Sequence, residues 1–88
     1  MNCYRVIYGK SAEKFIKANK EYGIRFVNAF LDISTSKKNI SRYDIKKYQG
    51  KRNAYRLRIG QYRAIFQVLD EKLVIAVIDI DSRGGIYK

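Results

Sequence analysis

The sequence predicts an α+β domain with a mostly antiparallel sheet of four to five strands. Three observations predict this class: an alternating segment opens the chain, two segments of helical periodicity follow it, and the last third alternates again. Because helices and strands fall in separate runs, the pattern is typical of α+β folds rather than of parallel α/β folds. The 88 residues are enough for one domain, which we expect to span residues 1–88.

The N-terminal part of the chain predicts one strand and two helices. Residues 3–8 alternate in polarity and indicate the first strand. Ser11 can cap a helix that runs to about residue 20. A second helix is predicted from about residue 22 to residue 36, with two neighbouring apolar rows. This wide apolar face predicts that the second helix packs on both the sheet and the first helix.

The segment after the second helix predicts a short helical turn. Ser41 suits its N-cap, and Asp44 follows at the third position. Ile40 and Ile45 are spaced as a hydrophobic staple, and Gly50 suits the C-terminal end of the turn. In this interpretation the basic residues of the turn point away from the core.

The last third of the chain predicts a meander of strands. Residues 54–59 alternate strictly between apolar and basic side chains. Gly60-Gln61 suits a two-residue hairpin turn of the Gly-X type, which would fix the register of the strands on either side. The remaining predicted elements are a strand at 62–69, a turn at Asp70-Glu71, a strand at 72–80 and a short edge strand at 86–88.

The basic residues are concentrated in one segment. The chain has 19 Lys and Arg against 8 Asp and Glu, a formal net charge of +11. Residues 37–63 hold ten of the basic residues and one of the acids, which leaves a net charge of +2 for the rest of the chain. Such a segment predicts a polyanionic partner, most simply nucleic acid; the alternative is a solvated basic face.

Three arginines share one face of the predicted hairpin. Closing the hairpin on Gly60-Gln61 places Arg58 opposite Arg63, and Arg56 lies two positions from Arg58 on the same face. Like charges directly opposite each other on adjacent strands are destabilising. The cluster therefore predicts an anionic ligand that neutralises it. The alternative is pairing with nearby acids, of which the sequence offers Asp44, Asp79 and Asp81.

The predicted C-terminal strands are apolar on both faces. Two helices can cover one face of a sheet, but not both. Part of this apolar surface is therefore expected to be covered by loops or left for a partner.

The composition argues against several kinds of site. Histidine is absent and Cys3 is the single cysteine, so we expect no metal, no cofactor and no intrachain disulfide. The apolar runs are far shorter than the roughly 20 residues of a membrane span. The first residues have a strand pattern rather than that of a signal peptide. We therefore expect a cytoplasmic protein that does not bind a membrane.

Three segments resemble the RelE/ParE superfamily of small basic toxins. Residues 44–50 (DIKKYQG) match its short basic element that ends in glycine. Residues 53–68 (NAYRLRIGQYRAIFQV) match its Tyr-basic-apolar-basic strand and the Tyr-Arg return of its hairpin. Residues 83–87 (RGGIY) are similar to its terminal Arg-x-x-x-Tyr. The resemblance covers essentially the whole chain and implies two N-terminal helices packed on a curved antiparallel sheet.

The resemblance also implies the toxin of a type II toxin–antitoxin pair. In such pairs an antitoxin wraps and blocks the toxin, and the complex binds its own operator DNA. RelE-like members cleave mRNA in the ribosomal A site, whereas ParE-like members inhibit DNA gyrase and do not cleave RNA. We expect a RelE-like, ribosome-dependent endoribonuclease (an mRNA interferase) that inhibits translation. Its expected partners are a RelB-like antitoxin, the ribosome and mRNA, with operator DNA bound only through the antitoxin complex.

The resemblance assigns candidate catalytic residues by position. Arg56 and Arg58 match the paired basic residues of the RelE active strand, and Arg63 matches the arginine after the motif's tyrosine. Arg83 and Tyr87 match the terminal pair. The family prototype has lysines at the paired positions, and arginine, unlike lysine, does not lose its proton to act as a base. Tyr87 is therefore the candidate for proton transfer or for stacking on a base. The expected RNA-binding residues are Lys46, Lys47, Lys51 and Arg52.

Three alternatives to the nuclease stay open. A gyrase inhibitor would share the fold and the basic surface, but it does not need the arginines and the tyrosine. An RNA-binding module would bind in a salt-sensitive way and cleave nothing. An inactive relative of the toxins would do neither.

Overall fold

The computed structural model describes residues 3–82. The helices and strands in this range are β1 (Arg5–Tyr8), α1 (Lys10–Ala18), α2 (Lys20–Thr35), β2 (Asp44–Lys47), β3 (Ala54–Ile59), β4 (Tyr62–Leu69) and β5 (Val74–Ser82). A 3₁₀ helix at Lys37–Arg42 joins α2 to β2, and another at Asp70–Lys72 joins β4 to β5. Within the described range, the helices are too short and too polar to cross a membrane.

Five strands within residues 3–82 form one sheet, in the order β1-β5-β4-β3-β2. β1 runs parallel to β5, and the other neighbours are antiparallel. A register shift between Ile65 and Phe66 interrupts the ladder of β4 and β5, and such irregularities bend a strand and increase its twist. With α1 and α2 packed on this sheet, the predicted α+β class and mostly antiparallel sheet are confirmed.

The core lies between the helices and the sheet face that they cover. Leu57 on β3 pairs with Ala64 on β4, which in turn pairs with Ile80 on β5, and all three are buried. The rings of Phe30 on α2 and Phe66 on β4 meet edge to face, with their centroids 5.1 Å apart. Because side chains alternate along a strand, the neighbours of these core residues point to the opposite face of the sheet.

The β3–β4 hairpin closes as the sequence predicts. Gly60 has a φ of +61°, in the left-handed region that glycine adopts without strain. The pairing places Arg58 opposite Arg63. The predicted register is therefore confirmed, and the candidate site is built on it.

Two predictions about local structure are wrong. Residues 44–47 form strand β2 rather than part of a helical turn. Their backbone pairs with residues 55–58 of β3, and this long-range ladder replaces the local hydrogen bonds of the predicted turn. Ser11 does not cap α1, because Gly9 occupies the N-cap position. The Ser11 hydroxyl donates instead to the carboxylate of Asp79 on β5.

The other predicted elements are present, with ends that differ by one or two residues from the prediction. Differences of this size are common at the ends of helices and strands. The predicted edge strand at residues 86–88 lies outside the described residues.

Candidate functional site

A row of charged residues crosses the sheet on the face opposite the helices. Asp44 on β2 pairs with Arg58 on β3, and Arg58 pairs with Arg63 on β4. Arg63 pairs in turn with Asp81 on β5. Two arginines thus lie side by side between two acids. Arg56 lies two residues from Arg58 on the same face, and we call Arg56, Arg58 and Arg63 the arginine cluster.

Asp44 contacts two members of the arginine cluster at once. Its Oδ1 accepts a hydrogen bond of 2.8 Å from Nη2 of Arg56. Its Oδ2 lies 3.1 Å from Nε of Arg58. The alternative of pairing with nearby acids is therefore confirmed for these two arginines. One carboxylate stands against two guanidinium groups, so these contacts leave a positive charge.

The three arginines differ in their access to a ligand. The side chain of Arg58 is 50% exposed, whereas that of Arg56 is 12% exposed. Within residues 3–82, Nε of Arg56 is buried without a hydrogen-bond partner. Arg63 as a whole residue is 8% exposed. Arg58 is therefore the most accessible guanidinium of the cluster, and Arg56 and Arg63 lie deeper in the sheet face.

The predicted RNA-binding residues lie on β2 and on its connection to β3. Lys46 points to the face of the arginine cluster, and Lys47, the next residue of the strand, points to the opposite face. All four are exposed: Lys46, Lys47, Lys51 and Arg52. The backbone carbonyl of Arg52 accepts a hydrogen bond of 2.9 Å from Nε2 of Gln67 on β4, which ties the connection to the sheet. Tyr48 lines two open depressions of about 320 and 510 Å³. This combination of lysines and a partly exposed ring is typical of surfaces that bind single-stranded nucleic acid.

A second group of polar residues joins α2 to the segment before β2. Asp32 accepts a hydrogen bond of 2.8 Å from the Tyr43 hydroxyl, and it lies 3.3 Å from Nη1 of Arg42. Burial and this hydrogen bond raise the pKa of Tyr43, so its hydroxyl stays a neutral donor. Arg42 is therefore engaged by its own acid, in contrast to the arginine cluster, where two cations share one acid.

Residues 3–82 offer no group of three or more Cys, Asp and Glu side chains that could hold a metal ion. The acids nearest to the arginines face guanidinium groups across the strand pairs instead. The arginines of the described site supply fixed positive charge and hydrogen-bond donors toward an anion.

Comparison with known proteins places this surface in a family. Residues 6–87 match the model of the family described as the ParE toxin of the type II toxin–antitoxin system parDE. The chain belongs to the ParE toxin family. The predicted membership of the RelE/ParE superfamily is confirmed, and the protein is a toxin of a type II toxin–antitoxin system.

The relatives of this toxin include archaeal proteins. It is 38% identical over 47 residues to the RelE1 protein of Methanocaldococcus jannaschii, a match that covers 53% of this chain and 52% of that one. The matched segment thus spans about half the length of the curated relative.

Solved structures resemble the toxin over nearly its whole length. A RelE–RelB complex from Pyrococcus horikoshii OT3 has a chain that superposes with a TM-score of 0.77 at 27% identity, covering 97% of this toxin and 99% of that chain. A RelB–RelE antitoxin–toxin complex from Methanococcus jannaschii gives 0.74 at 26% identity, covering 92% and 94%. The fold of the toxin is therefore the RelE fold.

The structure brings together part of the predicted catalytic set of the toxin. Arg56, Arg58 and Arg63 share one sheet face, whereas Arg83 and Tyr87 lie outside the described residues. The sequence offers Asp44 as one of three acids that could pair with the arginines, and its pattern predicts that Asp44 lies in a helical turn. Residues 44–46 alternate between polar and apolar side chains, as a strand does. This is the sequence signal that could have placed Asp44 on a strand beside Arg56 and Arg58.

Proposed function

We propose that the toxin is a ribosome-dependent endoribonuclease that cleaves mRNA in the A site and so inhibits translation. The observation that carries the proposal is the arginine cluster: Arg58 stands half exposed opposite Arg63, on the sheet face that the helices leave open. Like charges in this arrangement favour an anion, and a guanidinium matches phosphate oxygens bidentately. The RelE names of the archaeal relatives support the same function.

The proposed reaction is attack of a ribose 2′-OH on its own 3′-phosphate, without a metal. The new bond from the 2′-oxygen to phosphorus replaces the bond to the 5′-oxygen of the next nucleotide, which leaves with a proton. This reaction requires in-line groups, stabilisation of the extra charge on the phosphorane, and proton transfer. Arg56 and Arg58 position the phosphate, and Arg63 and Arg83 stabilise the added charge. Tyr87, which lies outside the described residues, moves the proton or stacks on a base in this proposal. The ribosome contributes alignment by holding the message in a fixed shape.

The exposed basic residues of β2 and of its connection to β3 bind the RNA backbone in this proposal. Lys46 and Lys47 lie on β2, and Lys51 and Arg52 follow on its connection to β3. Their charges neutralise phosphates without sequence preference, so they hold the message in place while the arginine cluster contacts the scissile phosphate.

The proposed protein partner is a RelB-like antitoxin in the cytoplasm, with operator DNA bound through the complex. The archaeal RelE structures that resemble this toxin were solved as complexes with RelB. Ile24 and Leu31 on α2 are 60% and 53% exposed, which leaves an apolar stripe for a partner to cover. The net charge of +11 favours an antitoxin with acidic flanks.

Inhibition of DNA gyrase is the second candidate function. The observation that favours it is the family model itself, which describes the ParE toxin. A gyrase inhibitor binds a protein and needs no convergent arginines. Loss of gyrase supercoiling in the presence of the purified toxin would identify this function.

The test of the nuclease is primer extension on mRNA in a translating extract. We compare the wild type with Arg58→Ala, which removes the accessible guanidinium, and with Lys14→Ala, which removes one exposed charge from α1. New stops at A-site codons that Lys14→Ala retains and Arg58→Ala loses would support the nuclease. Intact message with unaffected translation would reject it, and the supercoiling assay would follow.

A further inference from the structure

Asp44 is the acid through which the two arginines of β3 are joined. It is directly opposite Arg58 in the strand pairing, and its two oxygens contact different arginines, Nη2 of Arg56 at 2.8 Å and Nε of Arg58 at 3.1 Å. We infer that Asp44 is a positioning residue, which uses Arg56 as an anchor and turns Arg58 toward the scissile phosphate. This inference rests on the proposed nuclease function.

The burial of the two arginines indicates this division of roles. Arg56 donates to Asp44 from a side chain that is 12% exposed, and its Nε is buried without a hydrogen-bond partner among residues 3–82. A guanidinium held in this way has little freedom to follow a ligand. It is suited to fix the carboxylate that it contacts.

Arg58, in contrast to Arg56, combines a contact to Asp44 with a half-exposed side chain. Asp44 lies against its Nε, which is the inner edge of the guanidinium, and the side chain is 50% exposed. Within residues 3–82, the ion pair between Nε and Asp44 is the one polar contact of the Arg58 side chain. The outer edge of Arg58 is therefore open for two parallel hydrogen bonds to a phosphate, while the inner edge is oriented by Asp44.

The negative charge of Asp44 allows a role in positioning Arg58 to be distinguished from a role in binding RNA. A carboxylate beside the phosphate site repels RNA in the ground state, so its removal should not weaken binding. Its removal also frees Arg58 to move away from Arg63, because the like charges repel. A misplaced guanidinium aligns the phosphate poorly, and small misplacements lower rates by large factors. Asp44 thus favours the rate of the reaction over the affinity for RNA.

The test compares Asp44→Asn with the wild type on translating ribosomes. Asparagine keeps the shape and can still accept a hydrogen bond from Arg56, but it loses the charge. We expect kcat to fall about tenfold or more, with KM for ribosomes unchanged or lower. Glu13→Gln, which changes the net charge equally at an exposed position of α1, should alter neither constant. A fall in kcat accompanied by a raised KM and a lower melting temperature would mean a merely structural role and overturn the inference.

A double-mutant cycle decides whether Asp44 acts through Arg58. In the Arg58→Ala background, Asp44→Asn should have little further effect on kcat, because the group that it positions is gone. Independent losses that multiply would overturn the inference.

Binding of a labelled single-stranded RNA oligonucleotide provides a readout that does not need cleavage. Asp44→Asn should bind it at least as tightly as Glu13→Gln does, because the carboxylate repels RNA. Any gain should be smaller in the Arg58→Ala background, where the guanidinium that Asp44 partly neutralises is gone. If the wild type cleaves no message, the proposed nuclease fails, while the affinity comparison still decides whether Asp44 acts on Arg58. Weaker binding by Asp44→Asn than by Glu13→Gln, or a gain of the same size in the Arg58→Ala background, would reject the role of Asp44.

Discussion

Arg63 holds a positive charge at a position that is 8% exposed, opposite Asp81 on β5. Removing one member of a buried charged arrangement leaves the other without compensation. We therefore expect Arg63→Ala to lower the free energy of unfolding by about 2–4 kcal/mol. Arg58→Ala removes a half-exposed charge that faces the like charge of Arg63, so we expect a change of less than about 1 kcal/mol.

Urea unfolding of both variants, followed by circular dichroism, measures this difference. Equal losses of unfolding free energy in the two variants would contradict the idea that the deeper burial of Arg63 makes it more important for stability than Arg58. Activity lost in Arg63→Ala would mix misfolding with chemistry, whereas activity lost in Arg58→Ala would report on the surface that contacts the ligand.

At the scale of elements, α1 and α2 approach closely at Gly23. A Cβ atom at this position would lie 2.8 Å from the backbone oxygen of Ile16 and 3.0 Å from its Cα. Since both atoms belong to the backbone of α1, the helices themselves would have to separate. Gly23→Ala should therefore lower the free energy of unfolding by about 1–3 kcal/mol, although alanine favours helices more than glycine does. Lys20→Ala on the same helix is the control, and a more stable Gly23→Ala variant in urea would refute the prediction.

The packing of β1 against α2 predicts a loss of stability at alkaline pH. The rings of Tyr8 and Phe30 meet edge to face at 6.3 Å, and burial raises the pKa of Tyr8 from 10.0 to about 12. Below pH 10 the Tyr8 hydroxyl is neutral in both the folded and the unfolded state, so the stabilisation from burying Tyr8 is fully present. Between pH 10 and 12 the unfolded chain releases a proton that the folded chain keeps, so unfolding becomes more favourable. Stability measured against pH should fall less steeply in this window for Tyr8→Phe; identical slopes would disprove the assignment.

The elements also show where prediction from sequence succeeds. The register of β3 and β4 could be predicted because the two-residue turn at Gly60 fixes which residues are opposite, and the pair Arg58 and Arg63 follows from it. Strand β2 could not be predicted, because its four residues are too few to distinguish a strand from a turn with helical capping signals. Pairing with residues of β3 that lie 8 to 14 positions further along the chain decides its structure, and with it the position of Asp44 beside the arginines.

At the scale of the whole molecule, the basic charge is distributed unevenly over the fold. The sequence shows one basic segment at residues 37–63, whereas the structure places the basic residues of this segment in three different environments. Arg42 pairs with Asp32 near α2, the arginine cluster lies in the sheet face, and Lys51 and Arg52 are exposed on the connection between β2 and β3. Contacts across the fold, rather than spacing along the chain, determine which of these charges remain available to an anion.

This distribution predicts which charges determine the salt dependence of RNA binding. Each phosphate contact to single-stranded nucleic acid contributes about 0.7 to the slope of log affinity against log salt concentration. Replacing both Lys51 and Arg52 by alanine should therefore reduce the slope by about 1 to 1.5. The matched control replaces Lys10 and Lys14 on α1, which removes the same charge from the helix that packs on the other face of the sheet. Fluorescence anisotropy with a single-stranded RNA at several salt concentrations measures both slopes. Equal reductions in the two double variants would mean that net charge alone attracts the RNA, and the connection between β2 and β3 would then have no special part in binding it.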